Sequence, residues 1–332
     1  MKLQQRIQVL SELGKYLLED AEIWTEIKQK AEFENPWFSQ LYIDLAVENI
    51  AKYFLNEDIL KDFSIGYKIE TKESPAKKIG IIMAGNIPLV GFHDLLCVFL
   101  SGHIAMVKTS SKDNVLMTHI IKKLIDFNEE VSNHIFIAER LTNCDAYIAT
   151  GSNHSAKHFE YYFSKVPHII RRNRTSVAIL TGNESETDLQ NLANDVHLYF
   201  GLGCRNITKI YVPKDYDFLP LLTAFTKYNS NSLFHKFKNN YDYQLSILIL
   251  NNQYYMLNDS IILSENKSEF SPISILHYAF YENLQNVLND LKSNENIQCI
   301  VGKNYTNFGA SQYPKISDFA DGVDTMNFLL NI

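Results

Sequence analysis

The sequence predicts an α/β protein: a doubly wound parallel sheet, followed by a second, smaller α/β unit and preceded by a helical segment. Two observations carry this reading. The first seventy residues show helical spacing of apolar side chains and no strand-like run. From Lys77 onward, short apolar runs alternate with amphipathic stretches, the order from which open nucleotide-binding sheets are built.

The elements follow in order. Leu3, Ile7, Leu10, Leu17 and Leu18 fall near helical spacing, and Gly14 weakens that helix without breaking its pattern. A second helix is expected from an Asn35 cap, with Pro36 at its first position and Trp37, Leu41 and Leu45 at four-residue steps. Ala46, Ile50 and Phe54 continue that face. These helices either cover a sheet or serve as an accessory or oligomer-forming segment.

Ile79–Ala84, ending at Gly85, reads as a strand buried on both faces. A helix over Phe92–Leu100 stops at Gly102, Ile104–Lys108 is a second strand, and Asn114–Phe127 a second helix. Strands are expected at His134–Ala138, Ala146–Thr150 and Ser176–Thr181. The domain boundary falls at 182/183. Beyond it come a helix (Leu189–Tyr199), the turn Gly201–Leu202–Gly203–Cys204, a strand (Thr208–Val212) and a helix (Phe218–Tyr228). Asn229–Tyr243 reads as a surface excursion. Leu245–Leu250 and Ile273–His277 read as strands, Leu284–Leu291 as a helix and Ile297–Val301 as a strand.

Composition bounds the function. The chain has 332 residues, 46% apolar and 21% charged, which suits one large or two ordinary globular domains. A net charge of −7 offers no bulk attraction to nucleic acid. The N-terminus is too polar for a secretory signal, and no apolar run approaches membrane-spanning length. Cys97, Cys144, Cys204 and Cys299 are scattered, with no Cys-x-x-Cys pair and no histidine at zinc-ligand spacing. The expectation is a reduced, cytoplasmic protein with no metal.

Cys204 is the candidate nucleophile. It follows a Gly-x-Gly turn, which lets backbone amides approach an oxyanion, and it precedes Arg205, whose charge favours a thiolate. The competing reading is a buried apolar cysteine, which is the reading for Cys97 and Cys299. His93 and His197 read as either bases or core histidines. The chain has no phosphate loop and no Gly-x-Ser-x-Gly elbow, and Gly201–Leu202–Gly203 lacks the third glycine of the dinucleotide fingerprint.

Gly85–Asn86–Ile87–Pro88, Val107–Lys108–Thr109–Ser110, Thr150–Gly151–Ser152 and the Gly-x-Gly-Cys turn resemble, in order and approximate spacing, four elements of the aldehyde dehydrogenase superfamily. Tyr199 to Asn206, Asn307–Phe308–Gly309, Gln312–Tyr313–Pro314 and Asp318 to Thr325 more closely resemble the acyl-CoA reductases of the LuxC type. The resemblance implies an aldehyde dehydrogenase-like fold: a Rossmann-type nucleotide-binding domain (1–182) plus a smaller α/β catalytic domain (183–332). It implies that Asn86 and the Cys204 amide form an oxyanion hole. It also implies that Lys108, Ser110, Ser111, Gly151 and Ser152 meet a nicotinamide dinucleotide. Taken alone, the same residues read as a turn asparagine, a solvated lysine and a helix cap.

Departures from the superfamily pattern sharpen the expectation. His168 to Ser176 stands where aldehyde-oxidising members carry a water-activating glutamate, and it contains no acid. An acyl-enzyme without a positioned base exchanges with a thiol rather than with water, which favours reduction of an acyl thioester. Ser111–Lys112 replaces an acid that holds ribose hydroxyls, so NADPH is expected over NADH. Arg171, Arg172 and Arg174 read either as phosphate contacts for coenzyme A or the cofactor, or as a solvated turn or an ion pair. Ser268–Glu269–Phe270–Ser271–Pro272 keeps only part of a further ribose-binding motif, which leaves Glu269 a doubtful ligand.

The expected activity is NADPH-dependent reduction of a fatty acyl thioester, delivered on coenzyme A, a carrier protein or a partner ligase, to an aldehyde. The expected state is a homo-oligomer. The alternatives are an aldehyde dehydrogenase acting oxidatively, or a non-redox acyl-carrying subunit that keeps the fold.

Overall fold

Four helices open the chain: α1 (Leu3–Leu18), α2 (Glu22–Glu34), α3 (Gln40–Tyr53) and α4 (Glu57–Gly66). In α1 the buried positions Ile7, Leu10, Gly14 and Leu17 recur every three or four residues, so one stripe faces the core. The computed structural model describes residues 1–19, 21–69 and 75–332. Asn35 does not start a helix; it is the C-cap of α2, its N–H donating to Ala31 O at 2.9 Å. Its side chain accepts from Trp37 N–H at 3.3 Å in a turn, and α3 starts four residues later than expected, after Ser39.

Next come β1 (Lys78–Ile82), α5 (Phe92–Ser101), β2 (Ile104–Lys108), α6 (Asn114–Phe127), β3 (Ile135–Ile137), β4 (Ala146–Thr150), α7 (Asn153–Phe163) and β5 (His168–Arg171). α5 ends at Gly102 in the left-handed conformation (φ 89°) that glycine adopts without strain. The five strands pair in parallel in the order β3-β2-β1-β4-β5, with β1 and β4 at the reversal of strand order. Ile79, Ile81, Ala105, Val107, Ala146 and Ile148, which the register places on one face, are all 0% exposed; on the other face Tyr147 and Ala149 are buried and Ile82, Ile104 and Met106 half-buried.

After β5 come β6 (Thr175–Ile179), α8 (Glu186–His197), β7 (Ile207–Pro213), α9 (Leu219–Phe225), α10 (His235–Leu250), β8 (Tyr255–Leu257), β9 (Ile262–Glu265), β10 (Ile275–Tyr281), α11 (Leu284–Ser293) and β11 (Ile297–Gly302). The second sheet runs β11-β6-β7-β10-β9-β8, parallel except for β8 against β9. A last helix, α12 (Thr325–Leu330), closes the chain.

The chain forms two compact units, Met1–Asn173 with Pro314–Ile332, and Arg174–Tyr313. The division falls ahead of the expected 182/183 because β6 pairs with β7 and β11, which places it wholly in the second sheet. The last nineteen residues return to the first unit. There His93 Nε2 meets the Ile316 carbonyl at 2.8 Å, and Tyr67 donates to Asp324 at 2.7 Å.

Two expectations fail locally. Leu245–Leu250 is the end of α10 rather than a strand: Phe237, Tyr241 and Leu248 are buried at spacings of four and seven, while Leu250 is exposed. Much of the expected surface excursion belongs to the same helix. Among the described residues no helix is long and apolar enough to cross a membrane.

Candidate active site

The first unit gathers one set of candidates at a single sheet edge. In a parallel sheet, loops after the C-terminal strand ends lie side by side. The segments after β1 (Asn86), β2 (Lys108, Ser110, Ser111, Lys112) and β4 (Gly151, Ser152) therefore share that edge. The first two approach closely: a Cβ on Gly85 would stand 2.5 Å from Ser110 Oγ and 2.7 Å from Ser110 Cβ, so only glycine fits. Asn86, Lys108, Ser111 and Lys112 are exposed. Ser152 is the N-cap of α7, its Oγ accepting from Ser155 N–H at 3.2 Å.

Asp113 supports this edge, a role that its sequence context does not signal. Its carboxylate accepts from Leu89 N–H at 2.7 Å, holding the turn that carries Asn86. Burial pushes its carboxyl up to about 8, against the pull of that hydrogen bond, and its second oxygen is buried without a partner.

The three arginines separate. Arg171 is 3% exposed and directed inside the first unit, where it donates to Asp94 at 2.6 Å, Ala320 O at 2.7 Å and Thr325 Oγ1 at 2.8 Å. The phosphate reading is therefore corrected for Arg171: its guanidinium joins β5 and α5 to the C-terminal segment. Arg172 pairs with Glu160 at the surface. Arg174 donates weakly to Ile297 O at 3.4 Å in the second unit.

Cys204 lies just before β7, at the N-terminal edge of the second sheet, and is partly exposed. Tyr199, Phe200 and Gly201 take successive left-handed conformations (φ 56°, 54° and 75°), which reverses the chain over the end of α8. Gly203 to Asn206 then form a turn closed by Asn206 N–H to Gly203 O at 3.1 Å. Ser176, at the start of β6, donates to the Cys204 carbonyl at 3.0 Å and accepts from Cys299 N–H at 3.2 Å.

The other cysteines are poor nucleophiles. Burial pushes Cys97 far up and raises Cys144 and Cys299, the last offset in part by Ser176 and by the Arg205 charge. His197 is a core histidine: Nδ1 meets Ala193 O at 2.9 Å, the ring stacks on Tyr228 at 4.7 Å, and burial pushes it down to about 4.

Each of the five acids between Gly151 and Cys204 is already engaged. Glu160 holds Arg172, Glu184 accepts from Thr181 and Gly182, Glu186 accepts from Gln190, and Asp188 closes a capping box with Ser185. Asp195, 0% exposed, accepts from Gly309 N–H at 2.6 Å and from Ser311 N–H and Oγ at 3.0 and 2.6 Å. It thereby moors the 307–313 segment on α8. Among the described residues no group of three or more His, Cys, Asp or Glu side chains could hold a metal ion.

Nothing in the local sequence of Ser176 or Asp113 signals a role, whereas Asn206 ends the Tyr199–Asn206 segment of the family resemblance and directly follows the Cys–Arg pair.

The sequence model of the acyl-CoA reductase (LuxC) family matches residues 4–220. No curated protein matches at a significant level. Similar solved structures include an NAD-dependent aldehyde dehydrogenase from Sinorhizobium meliloti, at 9% identity and TM-score 0.67, covering 94% of this chain and 72% of that one. An aldehyde dehydrogenase from Physcomitrella patens, complexed with succinate, has 11% identity and TM-score 0.65 over 98% and 79% of the two chains. One from Mycobacterium tuberculosis, complexed with NAD+, has 12% identity and TM-score 0.62 over 87% and 70%. These likenesses show the aldehyde dehydrogenase-like fold.

Proposed function

The chain belongs to the acyl-CoA reductase (LuxC) family and is an oxidoreductase; from that premise we propose that it reduces a fatty acyl thioester to an aldehyde through an acyl-enzyme on Cys204, with NADPH as reductant. The observation that carries this reading is the engagement of all five acids between Gly151 and Cys204 in hydrogen bonds or ion pairs. None is left poised to activate water, so the acyl-enzyme survives to be reduced.

The Cys204 thiolate attacks the thioester carbonyl. The Cys204 N–H holds the oxyanion, the family resemblance assigns the Asn86 amide to the same role, and collapse expels the carrier as its thiolate. When bound, the dinucleotide supplies a hydride to the acyl carbon. The same donors hold the second oxyanion, whose collapse releases aldehyde and restores the Cys204 thiolate.

The edge after β1, β2 and β4 fits a dinucleotide. It combines a glycine cradle at Gly85 with exposed Lys108, Ser111 and Lys112 and with the N-terminal end of α7 at Ser152. Lys108 and Ser110 are proposed for the ribose, Ser111 and Lys112 for a 2′-phosphate, and Gly151 and Ser152 for the nucleotide beside α7. For a phosphate of coenzyme A or the cofactor, Arg172 and Arg174 are proposed and Arg171 is not. A cytoplasmic homo-oligomer fed by an acyl-activating ligase completes the reading.

The test is nicotinamide consumption by purified protein with a long-chain acyl-CoA, with Cys204→Ala in parallel. NADPH oxidation and aldehyde from the wild type alone are expected. A carboxylic acid product would favour an oxidising dehydrogenase. Acylation of Cys204 with no nicotinamide consumed would favour an acyl-carrying subunit. Lys112→Glu should move the NADPH/NADH ratio of kcat/KM toward NADH by about tenfold or more.

A further inference from the structure

Asn206 is 0% exposed and its carboxamide joins two pieces of the second unit. Its Oδ1 accepts from Gly203 N–H at 2.8 Å, while its backbone N–H donates to Gly203 O at 3.1 Å, so both polar groups of Gly203 are clamped by one residue. Its Nδ2 donates to Leu198 O at 2.8 Å, Asp195 O at 3.0 Å and Val196 O at 3.3 Å. Those carbonyls lie at and just past the end of α8, where no further turn of helix can satisfy them.

This bonding fixes a direction. In a trans peptide the C=O and the following N–H are antiparallel. With Gly203 O drawn into the turn by Asn206, the Cys204 N–H points to the outer side of the turn. Resting on the reading of Cys204 as the nucleophile, we propose that Asn206 is the positioning residue that aims the Cys204 N–H at the oxyanion by tying the cysteine turn to the end of α8. Aspartate would set a negative charge against three carbonyls. Alanine would keep the backbone bond to Gly203 O but remove the side-chain bonds, leaving the Gly203 N–H without its acceptor and releasing the turn that carries the Cys204 N–H from the end of α8.

Two reactions of the same thiol separate positioning from general damage. Acylation by a long-chain acyl-CoA passes through an oxyanion, whereas alkylation by iodoacetamide does not. In Asn206→Ala, acylation should fall roughly 100-fold, the order seen when one oxyanion donor is lost, with alkylation within about threefold of wild type. Asn206→Ser, smaller and neutral, should show the same sign with a lesser loss, and it serves if the alanine variant does not fold. The acylation-to-alkylation ratio within one preparation is the readout, with the melting temperature alongside. An unchanged ratio would overturn the proposal, whether both rates hold or both fall together. Acylation that persists in Cys204→Ala would instead overturn the nucleophile assignment, a distinct outcome.

Discussion

Replacing Arg171 by methionine tests whether this residue supports structure or binds a ligand. The change removes three hydrogen bonds, to Asp94, Ala320 and Thr325, and leaves the Asp94 carboxylate, whose side chain is only 12% exposed, without its cation. Removing one member of a buried pair costs roughly 3–5 kcal/mol, because the remaining charge stays desolvated. Replacing both members by apolar residues, as in Asp94→Leu/Arg171→Met, should recover most of that loss. With two compact units a single two-state fit is unsafe, so the assay is amide hydrogen exchange of α12, where Phe328 N–H bonds to Asp324 O at 3.0 Å. Protection of α12 should drop in the single variant and return in the double, with the KM for NADPH unchanged in the double. A loss below about 1 kcal/mol, or a tenfold rise in that KM with protection intact, would refute the structural role.

Asp113 should make stability pH-dependent. The fold holds its proton up to about 8, whereas the unfolded chain releases it near 4, so stability falls as pH rises across that window, by at most about 1.4 kcal/mol per unit. Asp113→Asn should flatten this slope in urea titrations at pH 5 and 8; an unaltered slope would exclude the group. Gly85→Ala drives a methyl into Ser110 and should cost about 1–3 kcal/mol and raise the KM for cofactor, read by melting temperature and initial rates. Limiting iodoacetamide should label Cys204 ahead of Cys97, Cys144 and Cys299, all raised by burial. First labelling of Cys299, located by peptide mass, would count against the nucleophile.

Much of the fold was legible because short-range patterns report burial directly. β2, β4 and α6 occupy the expected spans, since strands covered on both faces read as continuous apolar runs and a helix stripe repeats near 3.6. Leu245–Leu250 was misread because a six-residue apolar run suits either state, and the deciding partners, Phe237 and Tyr241, lie a turn or more upstream. β5 was hidden because His168 and Arg171 make it look like a solvated turn.

The sequence by itself determined the doubly wound order of strands and helices, the cysteine within a glycine turn, and the missing acid between His168 and Ser176. Each depends on residues close together in the chain. Tertiary structure alone decided which polar groups were already engaged. Arg171 meets Asp94 across 77 residues and Thr325 across 154, and Asp195 meets Ser311 across 116. A charge or amide reads the same in sequence whether it faces water or a buried partner; only packing brings the partner within hydrogen-bonding distance and removes the water.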